Sequence, residues 1–163
     1  MLVRQLIYQK SSRIAFYLPN DSELSLQIAL QYSLSQNKNC YLPVICSTAN
    51  PTMRFARFDN RTKLTKNRFG IPEPIVTRRR YLSAALLDLV LMPLVAFDAS
   101  GNRLGMGGGF YDKTFSFLKR RKSWKRPKLI GVAYDFQQID DLPGDAWDVP
   151  LDGVVTNKSF VKL

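Results

Sequence analysis

The chain has no histidine and only two cysteines in 163 residues. Cys40 and Cys46 flank the stretch YLPVI, a spacing that matches neither a C-x-x-C redox pair nor a zinc knuckle. Without histidine, a zinc site is also short of ligands. Two reduced, partly buried thiols and no structural disulfide are expected. Long apolar runs are missing as well: none reaches the roughly 18 residues of a membrane span. The opening MLVRQLIYQK lacks the apolar centre and small-residue cleavage site of a secretory signal. A cytoplasmic protein without membrane association is the expectation. Negative charge is scarce too, with 13 Asp and Glu against 24 Lys and Arg and a formal charge of +11. That balance favours an anionic partner, whether nucleic acid, nucleotide or acidic metabolite, without choosing among them. No linker, internal repeat or low-complexity tract stands out. One domain is expected across 1–163, with 45% apolar residues to build a core.

What is present is a series of apolar, β-branched and aromatic runs: RIAFYL at 13–18, CYLPVI at 40–45, LDLVLMPLVAF at 87–97, LIGVAYDF at 129–136 and DGVVT at 152–156. These read as buried strands. Between the first two, Leu24, Leu26, Ile28, Leu30, Tyr32 and Leu34 alternate as in a strand but also form i, i+4 rows. The length of that segment, its Ala, Gln and Leu content and its polar entrance at Asn20-Asp21-Ser22 predict a helix. A second helix is predicted to begin within or after a glycine cluster, run through YDKTFSFLKRRK and end before Pro127. MRFARF at 53–58 reads as a further strand and FGIPEP at 69–74 as a rigid loop. Strands alternating with helices imply an α/β sheet with crossovers and helices on its faces.

The densest signal is FDASGNRLGMGGGFYDKT, 97–114, which holds five of the nine glycines. It is neither of the two common phosphate motifs. A P-loop needs Lys-Ser/Thr directly after its last glycine, and Lys113-Thr114 comes too late; a G-x-G-x-x-G fingerprint fails at Phe110. A strand, a turn at DASGN, Arg103, the cluster Gly105, Gly107, Gly108 and Gly109, and then a helix would still direct free N–H groups and a helix dipole at one spot. Arg103 would add a bidentate fork for phosphate. Asp112 could hold magnesium at the rim. An unliganded turn is the plainer alternative, but so many glycines carry an entropic cost that close approach by a ligand would offset.

The stretch LDLVLMPLVAFDASGNRLGMGGGFYD closely resembles the signature of the 5-formyltetrahydrofolate cyclo-ligase family, also called methenyltetrahydrofolate synthetases. FYLPNDSEL, CYLPV, FGIPEP, GVAYDFQ and WDVPLDGVVT resemble further family segments in the same order, so the likeness covers residues 12–158. It implies a three-layer α/β/α fold with a mostly parallel, Rossmann-like sheet. It also implies ATP- and Mg2+-dependent cyclisation of 5-formyltetrahydrofolate to 5,10-methenyltetrahydrofolate, with ADP and phosphate released through an N5-iminium phosphate. An amide-like oxygen is a poor leaving group until phosphorylated, and phosphoryl transfer needs mainly positioning and charge neutralisation.

By the same resemblance, Arg103, Leu104, Gly105, Met106, Gly107, Gly108, Gly109, Phe110 and Tyr111 match the nucleotide-binding segment, of which Met106 to Phe110 also border the folate. Asp112 and Asp148 match two magnesium carboxylates, each with a bland rival: a helix-start carboxylate for Asp112, a turn former for Asp148. Glu23 matches a folate-binding glutamate able to accept paired N–H groups from a pterin edge, and Leu18 a further substrate contact. Tyr134 and Gln137 could face the site. No general acid or base can be singled out; Arg103 and Tyr111 are the foremost catalytic candidates. The family has an additional N-terminal helix with basic residues for ATP, most of which this chain lacks; MLVRQLIYQK resembles its end.

Two basic clusters remain, KRRKSWKRPK at 119–128, around Trp124, and RRR at 78–80. A solvated helix end is the first reading of the former. Attraction of ATP or of a folate polyglutamate tail is the second, and nucleic-acid binding the third. A nucleic-acid module explains the charge but not the glycines, so it is the least favoured partner. The expectation is a monomeric enzyme acting on 5-formyltetrahydrofolate, polyglutamylated or not, and ATP. The alternative is a non-catalytic folate- or nucleotide-binding relative.

Overall fold

A computed structural model describes residues 1–20, 22–46, 52–77, 80–123 and 125–163. In chain order its strands are β1 (Arg13–Ala15), β2 (Asn39–Ile45), β3 (Met53–Phe58), β4 (Leu64–Lys66), β5 (Pro72–Pro74), β6 (Tyr81–Leu82), β7 (Leu89–Pro93), β8 (Ala96–Phe97), β9 (Arg103–Leu104), β10 (Lys128–Val132), β11 (Gly153–Val155) and β12 (Phe160–Lys162). Eight of them form one sheet in the order β12-β11-β10-β7-β1-β2-β3-β6. β11, β10, β7, β1 and β2 run parallel, and antiparallel pairings finish both edges. β4–β5 and β8–β9 are separate two-stranded ribbons.

The apolar runs form central strands because a hydrophobic layer lies on each face of the sheet. In β7, Val90 and Met92 join Phe55, Phe97, Phe115 and Leu129 on one side. Leu89 and Leu91 join Ile14, Leu26, Leu42 and Ile130 on the other. Each such fully buried side chain contributes roughly 1.5–3 kcal/mol relative to exposure. Helix α3 (Phe110–Phe115) covers the first layer. The second is covered by α2 (Gln27–Ser35) and by the N-terminal segment, where a 3-10 turn at Leu2–Arg4 and the single-turn α1 (Leu6–Gln9) bury Leu2 and Tyr8. The three layers and mostly parallel sheet are those expected, with thin helical layers.

Several boundaries differ from the sequence reading. α2 begins at Gln27 after the N-cap Leu26, so the polar entrance at 20–22 is not its cap; Glu23 reaches back to the Asn20 amide instead, at 3.0 Å. The long run 87–97 divides into β7 and β8, since Val95 turns out to solvent and its amide bonds to Leu104. FGIPEP is not only a loop: β5 pairs with β4, and Glu73 Oε1 ties the ribbon to Ile45 N at 3.0 Å and Asn67 Nδ2 at 2.8 Å. The second helix is α-helical for six residues, then becomes a 3-10 helix at Ser116–Arg120.

The chain places β2 on one side of β1 and returns β7 on the other, so the topology reverses between β1 and β7. Open α/β sheets bind ligands in the crevice outside the carboxyl ends at such a point. The segments following β1, β7 and β10 leave from these ends. At the opposite end, Asp88 secures the strand starts by accepting from the amides of Ser12 at 3.1 Å and Arg13 at 2.9 Å.

Candidate active site

The β8–β9 ribbon carries the glycine segment, and Asp98 fixes its turn. This buried carboxylate accepts from the amides of Ser100 and Asn102, both at 2.9 Å, from Asn102 Nδ2 at 2.8 Å and from Leu142 N at 3.1 Å. Burial pushes its pKa up, but these bonds outweigh it and hold the carboxyl below its ordinary value. Gly101 is required by both conformation and space, with φ at +90° and a would-be Cβ only 3.2 Å from the Leu151 carbonyl oxygen.

Beyond β9 the backbone changes character. Among the described residues, no hydrogen bond is donated by the N–H groups of Gly105, Met106, Gly107, Gly108 or Gly109. A Cβ at Gly105, Gly107 or Gly109 would meet nothing within 4 Å, although Gly107 and Gly109 have φ of +80° and +61°. Leu104 and Met106 are exposed, while Phe110 packs edge-to-face against Phe69 with centroids 6.0 Å apart. The six-residue α3 supplies little of the helix dipole expected from sequence.

Arg103, from β9, is 7% exposed and pairs with Asp112 of α3 through Nη2 at 2.5 Å, while Nη1 donates to the Val149 carbonyl. Its fork is thus turned inward rather than toward the loop opening. Asp112 Oδ1 also accepts from Val149 N at 3.1 Å, which brings it beside Asp148. Asp148 caps its own turn, accepting from Asp145 N at 2.9 Å through Oδ2. Each of the two carboxylates keeps one oxygen outside any hydrogen bond among the described residues. Both are hard oxygen donors of the kind magnesium takes, so the chemistry of Asp112 and Asp148 suits that ion. No group of three or more potential metal-binding side chains occurs among the described residues.

The folate-side candidates converge from other elements. Leu18 and Glu23 follow β1 at the topological reversal, both half-buried. Burial first, and then the Glu23 carboxylate, raise the pKa values of Tyr17 and Tyr111 above the ordinary 10.0, so both phenols stay neutral. Tyr111 also feels Arg103, which acts in the opposite direction. Tyr134 stacks on Phe136, with ring centroids 5.4 Å apart. Gln137 is committed to structure: its Nε2 donates to the carbonyls of Leu94 and Val95, and its Oε1 accepts from Tyr134 N.

Sequence reasoning missed Tyr17, one residue before Leu18, and the contact of Phe69 with the loop; Phe69 opens FGIPEP, so that segment was its only signal. The 119–128 cluster is not a plain solvated helix end. Lys119 donates to the carbonyls of Ala146 and Asp148, Arg121 lies over Phe117, Arg126 reaches Asp88 and Lys128 pairs with Asp152. Trp124, Arg78 and Arg79 lie outside the described residues. No helix among the described residues is long and apolar enough to cross a membrane.

The sequence profile of the 5-formyltetrahydrofolate cyclo-ligase family matches residues 2–157. A Haemophilus influenzae protein named 5-formyltetrahydrofolate cyclo-ligase is 42% identical over 149 residues, covering 90% of this chain and 76% of that one. Its namesake in Escherichia coli K12 is 38% identical over 145 residues, 88% of this chain and 76% of that one. The solution structure of Aquifex aeolicus 5,10-methenyltetrahydrofolate synthetase superimposes with a TM-score of 0.78 at 34% identity, covering 99% of this chain and 76% of that one.

Proposed function

Because this chain belongs to the 5-formyltetrahydrofolate cyclo-ligase family, we propose that it converts 5-formyltetrahydrofolate to 5,10-methenyltetrahydrofolate, using Mg-ATP and releasing ADP and phosphate. The observation that carries the ATP part is the run of five amides at Gly105–Gly109 that donate no hydrogen bond among the described residues, with open space where a Cβ would stand at Gly105, Gly107 and Gly109. Such a run suits phosphate oxygens, which accept several N–H groups at once. Magnesium, when bound, neutralises charge on the phosphates during transfer.

The chain's own residues divide the remaining tasks. Glu23 accepts from the pterin edge and orients N5 and N10. Tyr17 and Tyr111, kept neutral, wall the site without adding negative charge beside the phosphates. Asp112 and Asp148 offer oxygens to the metal, and Arg103 holds Asp112 and Val149 in place. Phe110 and Phe69 form an aromatic wall at the loop. In the proposed reaction the formyl oxygen takes the γ-phosphoryl group and ADP departs. N10 then attacks the formyl carbon of the N5-iminium phosphate, loses its proton, and the C–O bond breaks to release phosphate. The formyl oxygen therefore leaves on phosphate, and no protein nucleophile is needed.

The test is to mix the purified chain with 5-formyltetrahydrofolate and Mg-ATP and follow the absorbance of the methenyl product. Product formed only when both ATP and magnesium are present is expected. Binding of folate or nucleotide without product would instead indicate a non-catalytic relative.

A further inference from the structure

The 119–128 cluster supplies charge that the proposed reaction does not use, and its first member, Lys119, reaches the carboxylate side of the site. Lys119 lies in the 3-10 continuation of α3, seven residues after Asp112. Such a spacing is two turns, so the two side chains leave the same side of one element, about 12 Å apart along its axis. Both meet the segment before β11. Asp112 Oδ1 accepts from Val149 N at 3.1 Å, and Lys119 Nζ donates to the carbonyls of Ala146 and, at 3.0 Å, of Asp148.

Asp148 therefore sits between two holds of unlike strength. On its C-terminal side Val149 is buried and fixed by Asp112 and by Arg103 Nη1. On its N-terminal side Asp145, Ala146 and Trp147 are exposed. That turn closes on itself, through Asp148 N on the Asp145 carbonyl at 3.0 Å and Asp145 N on Asp148 Oδ2 at 2.9 Å. Among the described residues, Lys119 makes the only hydrogen bonds from 145–148 to another element. An exposed turn bonded only to itself can rock about its anchored end, and its carboxylate with it. Ligands held in place beforehand lose less freedom when a metal binds, so that motion weakens affinity. Lys119 has no ion pair among the described residues. It bonds to carbonyls and not to the Asp148 carboxylate, and so orients that group while leaving its charge to the metal. We propose that Lys119 is a positioning residue for the metal site: it ties the Asp145–Asp148 turn to the element that carries Asp112 and holds the Asp148 carboxylate ready for magnesium. This rests on the cyclo-ligase reading, in which both carboxylates offer oxygens to the metal.

The experiment uses the unaltered chain, K119M, K119R, D148N and K119M/D148N, each with a melting curve to show that it is folded. Lys119 is itself exposed, so its replacement opens no cavity. One titration follows methenyl product against magnesium at saturating folate and ATP. The other follows Mn2+ binding to the ADP-loaded chain through water-proton relaxation and needs no turnover. K119M, which keeps the aliphatic stem but no donor, should raise the magnesium half-saturation and the Mn2+ dissociation constant about tenfold, as removal of a group that orients a metal ligand does. Its KM for 5-formyltetrahydrofolate should not change. K119R should restore most of the metal affinity, and K119M should add nothing in the D148N background. Unchanged metal dependence in K119M, or an equal loss in the D148N background, would overturn the proposal, as would an unaltered chain that binds no Mn2+. Mn2+ binding weakened by K119M and by D148N, without product from the unaltered chain, upholds Lys119 and removes only the turnover.

Discussion

Two neighbouring turns in the same ribbon use glycine for opposite ends. At Asp98–Asn102 the amides of Asp98, Ser100, Gly101 and Asn102 are all donated within the turn, and Gly101 is hemmed in by Leu151. At Gly105–Gly109 no amide is donated within the described residues, and three of the four glycines face open space. The first turn is complete in itself; the second is complete only with something added. Glycine content alone does not separate a packed turn from a ligand loop, whereas the destination of each N–H does.

The comparison breaks hardest at Asp98. Asp98→Ala leaves four donors without their acceptor, three of them on the half-buried Asn102 and the buried Leu142, and should cost about 4 kcal/mol, read as a lower urea midpoint. The unaltered chain carries the same dependence in its acid response. Asp88 and Asp98 both have pKa values below the ordinary 3.8, because their hydrogen bonds outweigh a burial effect that acts in the opposite direction. Their contribution is therefore present above the unfolded-state value and is lost as pH falls through the lower folded values. Urea midpoints should hold steady near neutrality and drop below about pH 4, and Asp98→Ala should flatten that drop.

Asp112→Asn comes next, since it removes the charge that faces Arg103 but keeps an acceptor for Val149 N. A loss of about 1–2 kcal/mol is expected, together with a fall in turnover of about 100-fold from the weakened metal and phosphate geometry. Unchanged turnover in the methenyl assay would remove Asp112 from the metal site.

A paired substitution sharpens the contrast between the turns. Gly101→Ala meets both a positive φ and the Leu151 carbonyl and should destabilise by about 1–3 kcal/mol. Gly105→Ala meets neither and should stay within about 0.5 kcal/mol of the unaltered chain. The smallest effect expected is chemical rather than energetic. Cys46 is exposed, whereas burial pushes the Cys40 thiol up to about 11. One thiol should react with a disulfide reagent in the folded chain at pH 8, and the second only after unfolding.

The sequence revealed the strands because burial on both faces leaves continuous apolar runs: β7 and β11 fall inside them, and β2 and β10 begin one residue earlier. It placed the helices poorly. α2 starts late because Leu24 and Leu26 pack from an irregular segment, and α3 gives way to a 3-10 helix where the predicted pattern continued. The glycine loop was legible as a concentration of one residue type. The inward turn of Arg103 was not, since its partners Asp112 and Val149 meet only when β9, α3 and the segment before β11 fold together.

The most direct test of the central claim is calorimetric titration of Mg-ATP into the unaltered chain and into Gly105→Ala, with a melting curve of each. An unchanged melting temperature with affinity reduced at least about tenfold, as expected when a methyl group enters a space meant for phosphate, would establish the loop as the nucleotide cradle. Equal affinity in the two proteins would contradict it.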